Sequence, residues 1–417
     1  KNYHKTLNLK PNYAEANNNL AITFMQLGQL EDAQNNFKKA LDLKPDYAEA
    51  HSNYGILLNR LGHLDASLKC YEKALLINPN YAKAYAYRGD ALIDLRRFDD
   101  ALDSYNLAFS LDPNIDFNLG NLLHTKMHLC IWDNLSSQLL KLTKKINNYE
   151  KAVDPFSFLA LEDDPKLHKK IAETFSNYLY PKNYELPKIS NYSNHSKIRI
   201  GYFSADFRDH PVGSLTAELY EIHNRKDFEV FAFSFCNDTN DELNLRIKSG
   251  VDHFYDVQSI SHKEVVMLSR SLEIDIAIDL GGFTQDCRPG IFAMKAAPIQ
   301  VNYLGYPGTM GASYMDYIIA DKTLIPENYR HYYSEKIVYL PDSFMVIDTK
   351  NKFSTKLFTR EEANLPKNGF VFCCFNNHYK ITPNAFTSWM KILSQVKGSV
   401  LWLPDGRRTA VNNLKKE

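Results

Sequence analysis

Residues 45–78 read PDYAEAHSNYGILLNRLGHLDASLKCYEKALLIN, and the same pattern returns along the amino-terminal part of the chain. Prolines stand at positions 11, 45, 79 and 113, so each unit is 34 residues long. A period of 34 residues is typical of tetratricopeptide repeats, in which two helices are joined by a turn. Each proline ends a second helix because it lacks an N–H and restricts the preceding residue. The sequence therefore predicts an α-solenoid.

The repeats share small and aromatic residues at fixed positions, such as Phe37, Tyr71 and Tyr105. Gly28 and Gly62 stand between the two helices of their units, where a positive φ suits glycine. Arg96 takes this place in the third unit. One unit cannot bury its own apolar stripe, so stacked units share a core and leave a concave surface. We expect this surface to bind protein or peptide partners.

A row of asparagines is the candidate contact for such a partner. Eight residues after each proline stand Asn19, Asn53, Tyr87 and Asn121. An amide side chain both donates and accepts, so a row of them can pair with the backbone of an extended peptide. A solvated polar helix surface is the open alternative, and Tyr87 interrupts the row.

The repeat pattern fades after Asn121, and the texture of the sequence divides the chain into four parts. We predict tetratricopeptide repeats in 1–121, a helical cap with a linker in 122–196, an α/β lobe in 197–366, and the start of a second lobe in 367–417. Leu7, Leu9 and Pro11 match Leu41, Leu43 and Pro45. We therefore expect the chain to begin inside a repeat and to be a fragment.

Composition limits the classes of partner. Lys and Arg number 49, as do Asp and Glu, so no uniform field attracts nucleic acid or an acidic membrane. The six cysteines lack the spacing of a zinc or redox motif, which fits a reducing cytoplasm. No apolar run approaches the roughly 18 residues of a membrane span. We expect a cytoplasmic protein without a metal or other cofactor, and the sequence does not indicate an oligomeric state.

Beyond residue 197, short β-rich runs alternate with helical ones. The predicted strands are 198–204, 228–235, 274–280, 299–304, 317–320 and 336–340, and the predicted helices are 215–223, 263–272 and 289–296. Apolar strands separated by helices predict a parallel sheet that is covered on both faces. Ligands of such sheets bind beyond the carboxyl ends of the strands.

Three loops follow predicted strands and are the candidates for a ligand site. The first, residues 204–211, places His210 directly before Pro211; the second, residues 279–284, contains paired glycines; the third, residues 305–311, contains three glycines. Tight turns without a ligand are the open alternative for the glycines. These residues alone indicate an anion-binding α/β fold joined to a peptide-binding solenoid.

A second α/β unit is predicted after Pro366, with strands 370–375 and 400–403 and a helix from Pro383 to Val396. Lys380 precedes this helix, so its ammonium can combine with the helix N-terminal N–H groups to hold a phosphate. Each charge-assisted hydrogen bond there contributes about 1.5–3 kcal/mol.

Ordered motifs over nearly the whole chain resemble the tetratricopeptide-linked O-GlcNAc transferases and their SPINDLY-like relatives. They are GYFSADF at 201–207 with HP at 210–211, APIQV at 297–301, LGYPGT at 304–309, MDYI at 315–318, FNNHYKITP at 375–383 and SVLWL at 399–403. The resemblance implies a GT-B fold of two nucleotide-binding lobes, which transfers a sugar from a nucleotide diphosphate to Ser or Thr of proteins.

The resemblance also implies roles for individual residues. His210 takes the place of the active-site histidine, and Lys380 that of the lysine that neutralises the departing diphosphate. Asn376 and Asn377 lie on the same donor loop. The cleft would be lined by Thr284, Gly305, Tyr306, Pro307 and Gly308, and the acceptor would be held by Asn19, Asn53 and Asn121.

Two departures from the family stand out. Phe283 is apolar where relatives often have His or Tyr, and the chain stops at Glu417, before the later donor-lobe motif. We therefore expect a truncated second lobe that binds a donor poorly. UDP-GlcNAc is the favoured donor, GDP-fucose is an alternative donor, and a non-catalytic repeat scaffold is an alternative function.

Overall fold

The computed structural model describes residues 10, 12–189, 192, 195–236, 239–351, 354–404 and 406–417. Leu7, Leu9 and Pro11, on which the expected partial repeat depends, lie outside the described residues. The chain forms two compact units. Unit 1 comprises Lys1–Lys144 together with Asn364–Glu417, and unit 2 comprises Lys145–Ala363.

Antiparallel helix pairs form the repeats, as the 34-residue period predicts. The helices of these pairs are α1 (Ala14–Gln26), α2 (Leu30–Leu43), α3 (Ala48–Arg60), α4 (Leu64–Ile77), α5 (Ala82–Asp94) and α6 (Phe98–Leu111), and α7 (Asn118–His128) and α8 (Leu135–Asn147) follow them. The turns within the pairs have the left-handed backbone at Gly28, Gly62 and Arg96, with φ of 78°, 77° and 58°. Arg96 thus adopts the conformation that its glycine counterparts adopt without strain.

Close helix packing accounts for the small residues of the repeat. A Cβ added at Gly55 in α3 would lie 2.6 Å from the ring of the buried Tyr71. The corresponding contact joins Gly89 in α5 to Tyr105, at 2.5 Å. Each tyrosine therefore fills the space that a glycine of the neighbouring helix leaves open.

Unit 2 is built on a seven-stranded parallel sheet. Its helices and strands are α9 (Pro155–Phe158), α10 (Pro165–Leu179), β1 (Ile198–Ser204), α11 (Pro211–Ile222), β2 (Phe228–Ser234), α12 (Glu242–Gly250), β3 (His253–Asp256), α13 (His262–Ser271), β4 (Ile276–Asp279), α14 (Pro289–Ala293), β5 (Ile299–Asn302), β6 (Tyr317–Ala320) and β7 (Lys336–Tyr339). The strand order is β3-β2-β1-β4-β5-β6-β7, with every neighbouring pair parallel.

Both faces of this sheet are covered, as the sequence predicts. Phe203 and Phe292 belong to the core on one face, and Tyr202 and Tyr220 to the core on the other. The short edge strand β3 and the helix α12 were not predicted. No residue of β3 is fully buried, so its sequence lacks the apolar run that marks the central strands.

Helix α10 packs into the core of unit 2, although the sequence placed it in the helical cap of 122–196. Ser176 Oγ donates a hydrogen bond to Met310 O at 2.6 Å, and the rings of Phe175 and Phe283 lie 5.2 Å apart. The described part of the predicted linker is also attached there, since Arg270 Nη1 donates to Pro187 O at 2.7 Å. Residues 190, 191, 193 and 194 of that linker lie outside the description.

The last part of the chain returns to unit 1. It contains β8 (Val371–Cys373), α15 (Pro383–Gln395), β9 (Val400–Trp402) and α16 (Arg408–Lys416), and β8 pairs in parallel with β9. A buried cluster joins Cys130 after α7 to Phe386 of α15 and Leu414 of α16. A two-stranded sheet is marginal alone, so this packing against the solenoid stabilises the segment.

Candidate active site

The order of the sheet in unit 2 defines where a ligand can bind. The chain proceeds outward from β1 to β2 and β3, and then crosses to β4 on the other side of β1. In open parallel sheets, ligands bind at the carboxyl ends of the strands where the order reverses. Residues 205–210 follow β1, residues 280–288 follow β4 and residues 303–311 follow β5. These three sheet-edge loops therefore lie at or beside the reversal point.

His210 caps α11 at this edge. Its Nδ1 accepts a hydrogen bond from Val212 N at 3.3 Å, and Pro211 is the first helical residue. The His210 side chain is 39% exposed. The helix start thus fixes the ring while leaving much of it open to a ligand.

Asp206 is a second polar group beside this ring. Its Oδ1 lies 3.4 Å from His210 Nδ1 and 3.7 Å from Arg208 Nη2, and the residue is 7% exposed. Burial raises the pKa of Asp206, and the nearby His210 and Arg208 oppose that rise. Sequence reasoning missed Asp206, although it stands four residues before His210 in the quoted motif.

The two contacts of Nδ1 belong to different tautomers of His210. The hydrogen bond from Val212 N requires an unprotonated Nδ1. A proton on Nδ1 would instead face Asp206 Oδ1, 3.4 Å away, and would leave the lone pair on Nε2. Only this second tautomer presents Nε2 as a proton acceptor. The Asp206 carboxylate is therefore placed to stabilise a proton on Nδ1, the form of His210 that a general base requires.

The loop after β4 directs its backbone toward the protein interior. Asp279 Oδ1 accepts hydrogen bonds from Gly281 N at 2.9 Å and Gly282 N at 3.1 Å, and burial raises the pKa of Asp279 to about 6. Thr284 Oγ1 donates to Gly281 O at 2.8 Å and the residue is half-buried. The two glycine N–H groups are thus already paired within the chain.

The side chain of Tyr306 packs so closely against Gly282 and Gly308 that these positions require glycine. A Cβ at Gly282, where φ is 59°, would lie 2.6 Å from Tyr306 Cβ, and one at Gly308 would lie 2.6 Å from Tyr306 Cζ. Tyr306 is 1% exposed and packs edge-on against Phe283 at 5.2 Å. The side chain of Tyr306 therefore fills the core of unit 2, and its contribution to donor binding stays a prediction, as do those of Thr284, Gly305, Pro307 and Gly308.

Two buried residues hold the loop after β5. Asn302 Nδ2 donates to Tyr306 O at 3.0 Å and to Gly308 O at 3.2 Å. Glu335 accepts from Thr309 Oγ1 and Met310 N, both at 2.6 Å, and burial raises its pKa. Sequence reasoning missed both. Glu335 is 25 and 26 residues from its partners, and no local pattern indicates such a contact.

Unit 1 carries the second group of predicted site residues. His378–Lys380 forms a 3-10 turn that follows Asn377. Asn376, Asn377 and Lys380 are exposed, whereas His378 is buried. Lys380 Nζ forms no ion pair with any carboxylate in the described part of the chain, and lies 6.0 Å from the centroid of the Tyr379 ring. The 376–380 loop therefore presents amides and an ammonium to solvent.

The N-terminus of α15 offers fewer donors than the sequence suggested. Thr382 caps the helix, and its Oγ1 accepts from Ala385 N at 3.3 Å. Pro383 has no N–H, which leaves Asn384 N among the first three residues of the helix. A phosphate at this point would depend mainly on side chains, including Lys380.

The asparagine row lies half-buried on α1, α3 and α7, with Tyr87 on α5. Asn53 Nδ2 donates to Asn18 Oδ1 at 3.1 Å, and Asn18 Nδ2 donates to Asn19 Oδ1 at 3.4 Å. Further along, Asn121 Nδ2 donates to Asp90 Oδ1 at 3.0 Å. These hydrogen bonds, one within α1 and two between helices of different units, orient the amides. Binding of an acceptor by Asn19, Asn53 and Asn121 stays a prediction.

Among the described residues, no group of three His, Cys, Asp or Glu side chains is arranged to hold a metal ion. In the same residues, no helix is long and apolar enough to cross a membrane.

The sequence profile of glycosyl transferase family 41 matches residues 166–360 and 352–415, which is more than half of the chain. The chain belongs to glycosyl transferase family 41. Profiles of the tetratricopeptide repeat match residues 23–62, 48–81 and 82–115. The predicted family and the predicted repeats are thereby confirmed.

The curated relatives of this family 41 chain are much longer than the chain itself. It is 35% identical over 302 residues to the probable UDP-N-acetylglucosamine–peptide N-acetylglucosaminyltransferase SEC of Arabidopsis thaliana, over 68% of this chain and 31% of that protein. A Caenorhabditis elegans UDP-N-acetylglucosamine–peptide N-acetylglucosaminyltransferase is 38% identical over 37% of the chain and 14% of that protein. The chain therefore spans about a third or less of these relatives.

A solved structure of a Thermobaculum terrenum O-GlcNAc transferase mutant aligns over 97% of this chain and 72% of that chain. The TM-score is 0.61 and the sequence identity is 22%. This likeness shows the shared fold. The prediction of tetratricopeptide repeats followed by a GT-B-type α/β region is confirmed.

Proposed function

We propose that this family 41 chain belongs to an inverting protein O-glycosyltransferase that moves GlcNAc from UDP-GlcNAc to Ser or Thr hydroxyls. The observation that carries the proposal is the Asp206–His210 pair at the reversal point of a family 41 sheet. The names of the relatives, which state a UDP-N-acetylglucosamine–peptide transfer, support this donor.

His210 is the proposed general base. Its Nε2 takes the proton of the acceptor hydroxyl as that oxygen attacks the anomeric carbon of the sugar. Asp206 accepts a hydrogen bond from Nδ1–H and stabilises the imidazolium that forms. A positioned base of this kind contributes roughly a hundredfold to ten-thousandfold in rate.

Lys380 is the proposed partner of the leaving group. The bond between the anomeric carbon and the diphosphate oxygen breaks, the electron pair stays on UDP, and negative charge develops there. Lys380, with Asn376 and Asn377 beside it, would stabilise that charge more in the transition state than in the ground state. The proposal requires no metal ion.

The repeats are the proposed acceptor site. Asn19, Asn53 and Asn121 would hydrogen-bond the backbone of an extended protein segment. Such contacts to the backbone select an extended conformation with little regard to side chains. The free cysteines support a cytoplasmic location for the protein.

A donor screen with the whole encoded protein tests the proposed function. UDP-GlcNAc and GDP-fucose are each incubated with a protein acceptor, and mass spectrometry records the added mass. We expect an N-acetylhexosamine increment from UDP-GlcNAc alone. A deoxyhexose increment would identify GDP-fucose as the donor in place of UDP-GlcNAc. Acceptor binding without any transfer would favour a non-catalytic repeat scaffold.

Replacing Asn19, Asn53 and Asn121 together by alanine tests the acceptor site. A long acceptor crosses several repeats, so its KM should rise more than that of a short peptide, by roughly tenfold if a net 1.4 kcal/mol is lost. Equal effects on both acceptors would contradict backbone binding by this row.

A further inference from the structure

The turn that carries Lys380 packs against α7, the first helix after the repeat pairs. The Tyr379 ring lies 5.2 Å from the ring of His124 and 4.7 Å from that of His128, measured between centroids. The two histidine rings are themselves 4.7 Å apart. We call His124, His128 and Tyr379 the aromatic clamp.

The clamp continues into the next layer of unit 1. His128 packs against Phe98 of α6 at 4.4 Å, and the guanidinium carbon of Arg407 lies 3.4 Å from the centroid of the Phe98 ring. Burial, His124, Arg407 and His378 lower the pKa of His128 to about 2. The ring is therefore neutral at physiological pH and packs beside Arg407 without charge repulsion.

Neighbouring contacts attach both flanks of the 376–380 loop to the same end of the solenoid. Cys130 Sγ lies 4.0 Å from His378 O, and the rings of Trp132 and Phe386 are 5.6 Å apart. From α16, Asn413 Nδ2 donates to Leu129 O at 2.8 Å. The loop thus combines buried anchoring residues with the exposed Asn376, Asn377 and Lys380.

The two histidines of the clamp also lie on the same helix as Asn121, the last residue of the asparagine row. His124 and His128 follow Asn121 on α7 by three and seven residues, a spacing that places all three on one helix face. The last amide of the row and the anchor of the 376–380 loop are therefore one and two turns apart on a single rigid helix.

We propose that the aromatic clamp positions Lys380 relative to an acceptor chain that lies against Asn121. His124, His128 and Tyr379 are positioning residues, because they act through the loop and do not touch the reacting atoms. This inference rests on the proposed function and adds the coupling between the acceptor surface and the leaving-group site.

Tyr379→Leu tests the clamp, with Tyr379→Phe as the matched control that retains the ring. We expect Tyr379→Leu to lower kcat for a protein acceptor about tenfold, a change of ~1.4 kcal/mol in the barrier, while the acceptor KM stays within twofold. Tyr379→Phe should have the kcat of the wild-type protein. A kcat that is unchanged per folded molecule of Tyr379→Leu would overturn the proposal.

Hydrogen exchange on the ligand-free protein separates this inference from the proposed function. Tyr379→Leu should speed amide exchange in residues 376–382. If Tyr379→Leu does not fold, His124→Ala is the substitute variant and should have the same effect. Unchanged exchange there overturns the clamp whether or not the wild-type protein transfers a sugar. Faster exchange together with no transfer by the wild type would remove the proposed function and retain the anchoring of the loop.

Discussion

The loop after β4 in unit 2 and the 376–380 loop of unit 1 differ in whether their polar groups are paired within the chain or exposed to solvent. After β4, the N–H groups of Gly281 and Gly282 are paired with the buried Asp279. In the 376–380 loop, Asn376 and Lys380 are exposed, and buried neighbours carry the packing. A glycine-rich loop is thus evidence of close packing before it is evidence of a ligand. Exposed polar groups between buried anchors are a more direct sign of a site.

Lys380→Ala tests the exposed group of the 376–380 loop and has the largest expected effect on kcat. Loss of the exposed cation should lower kcat about a hundredfold to a thousandfold, because charge on the departing diphosphate is no longer stabilised. Lys380→Arg is the control that retains the charge. Thermal unfolding should be unchanged, since the ammonium forms no ion pair within the described chain. Normal turnover in Lys380→Ala would remove Lys380 from the mechanism.

Asp206→Asn asks whether a sheet-edge loop of unit 2 contributes directly to chemistry. An amide at this position accepts a hydrogen bond from Nδ1–H more weakly than a carboxylate does, and its NH2 group can donate to an unprotonated Nδ1. The His210 tautomer with Nδ1 accepting from Val212 is therefore favoured. We expect kcat to fall at least about tenfold, with a changed pH profile of kcat. Asp209→Asn, in the same loop and exposed, is the matched control. Equal rates for both variants would leave His210 without a positioning carboxylate.

Gly282→Ala measures the packing explanation of the glycine loops. The new methyl group would meet Tyr306 at 2.6 Å in a residue with φ of 59°. We expect a loss of about 2 kcal/mol in the free energy of unfolding. Gly62→Ala is the matched control, because its φ is 77° and no atom lies within 4 Å of the added Cβ. Strain alone predicts about 1 kcal/mol there. Equal losses would argue against the Tyr306 contact.

The pH dependence of stability probes the anchors of the 376–380 loop and is the smallest effect. The pKa of His128 is about 2 in the folded chain against the ordinary 6.5, so the unfolded chain binds the proton first as pH falls. The contribution of His128 is complete above pH 6.5 and is lost below it, by about 1 kcal/mol between pH 6.5 and 5.5. His128→Phe should flatten this dependence in thermal unfolding. A slope identical to that of the wild type would show that His128 is not the group responsible.

Most elements of the fold were predictable because their signals are local. The 34-residue period, the apolar runs of β1 and β2 and the proline at the start of α11 each lie within a short window of sequence. Strand β3 and the packing of α10 were not predictable. The first lacks a buried run, and the second depends on contacts such as Ser176 with Met310.

The candidate site divides in the same way. His210, Lys380 and the asparagine row could be named from motifs and spacing. Their supporting residues could not, because Glu335 and Tyr379 meet partners far away in the chain. Asp206 is the intermediate case. It is close to His210 in the sequence, but its role depends on its burial beside the His210 ring.

The amino-acid sequence by itself determined the repeat period, the parallel α/β architecture, the family and the residue types available for catalysis. These follow from hydrophobic periodicity and from motifs that are continuous in the chain. Only the tertiary structure decided that Tyr306 packs against the glycines of two loops, that Asp206 lies beside His210, and that α7 anchors the turn that carries Lys380. Packing and tautomer choice depend on distances between segments that are remote or folded back in the chain, which no local pattern encodes.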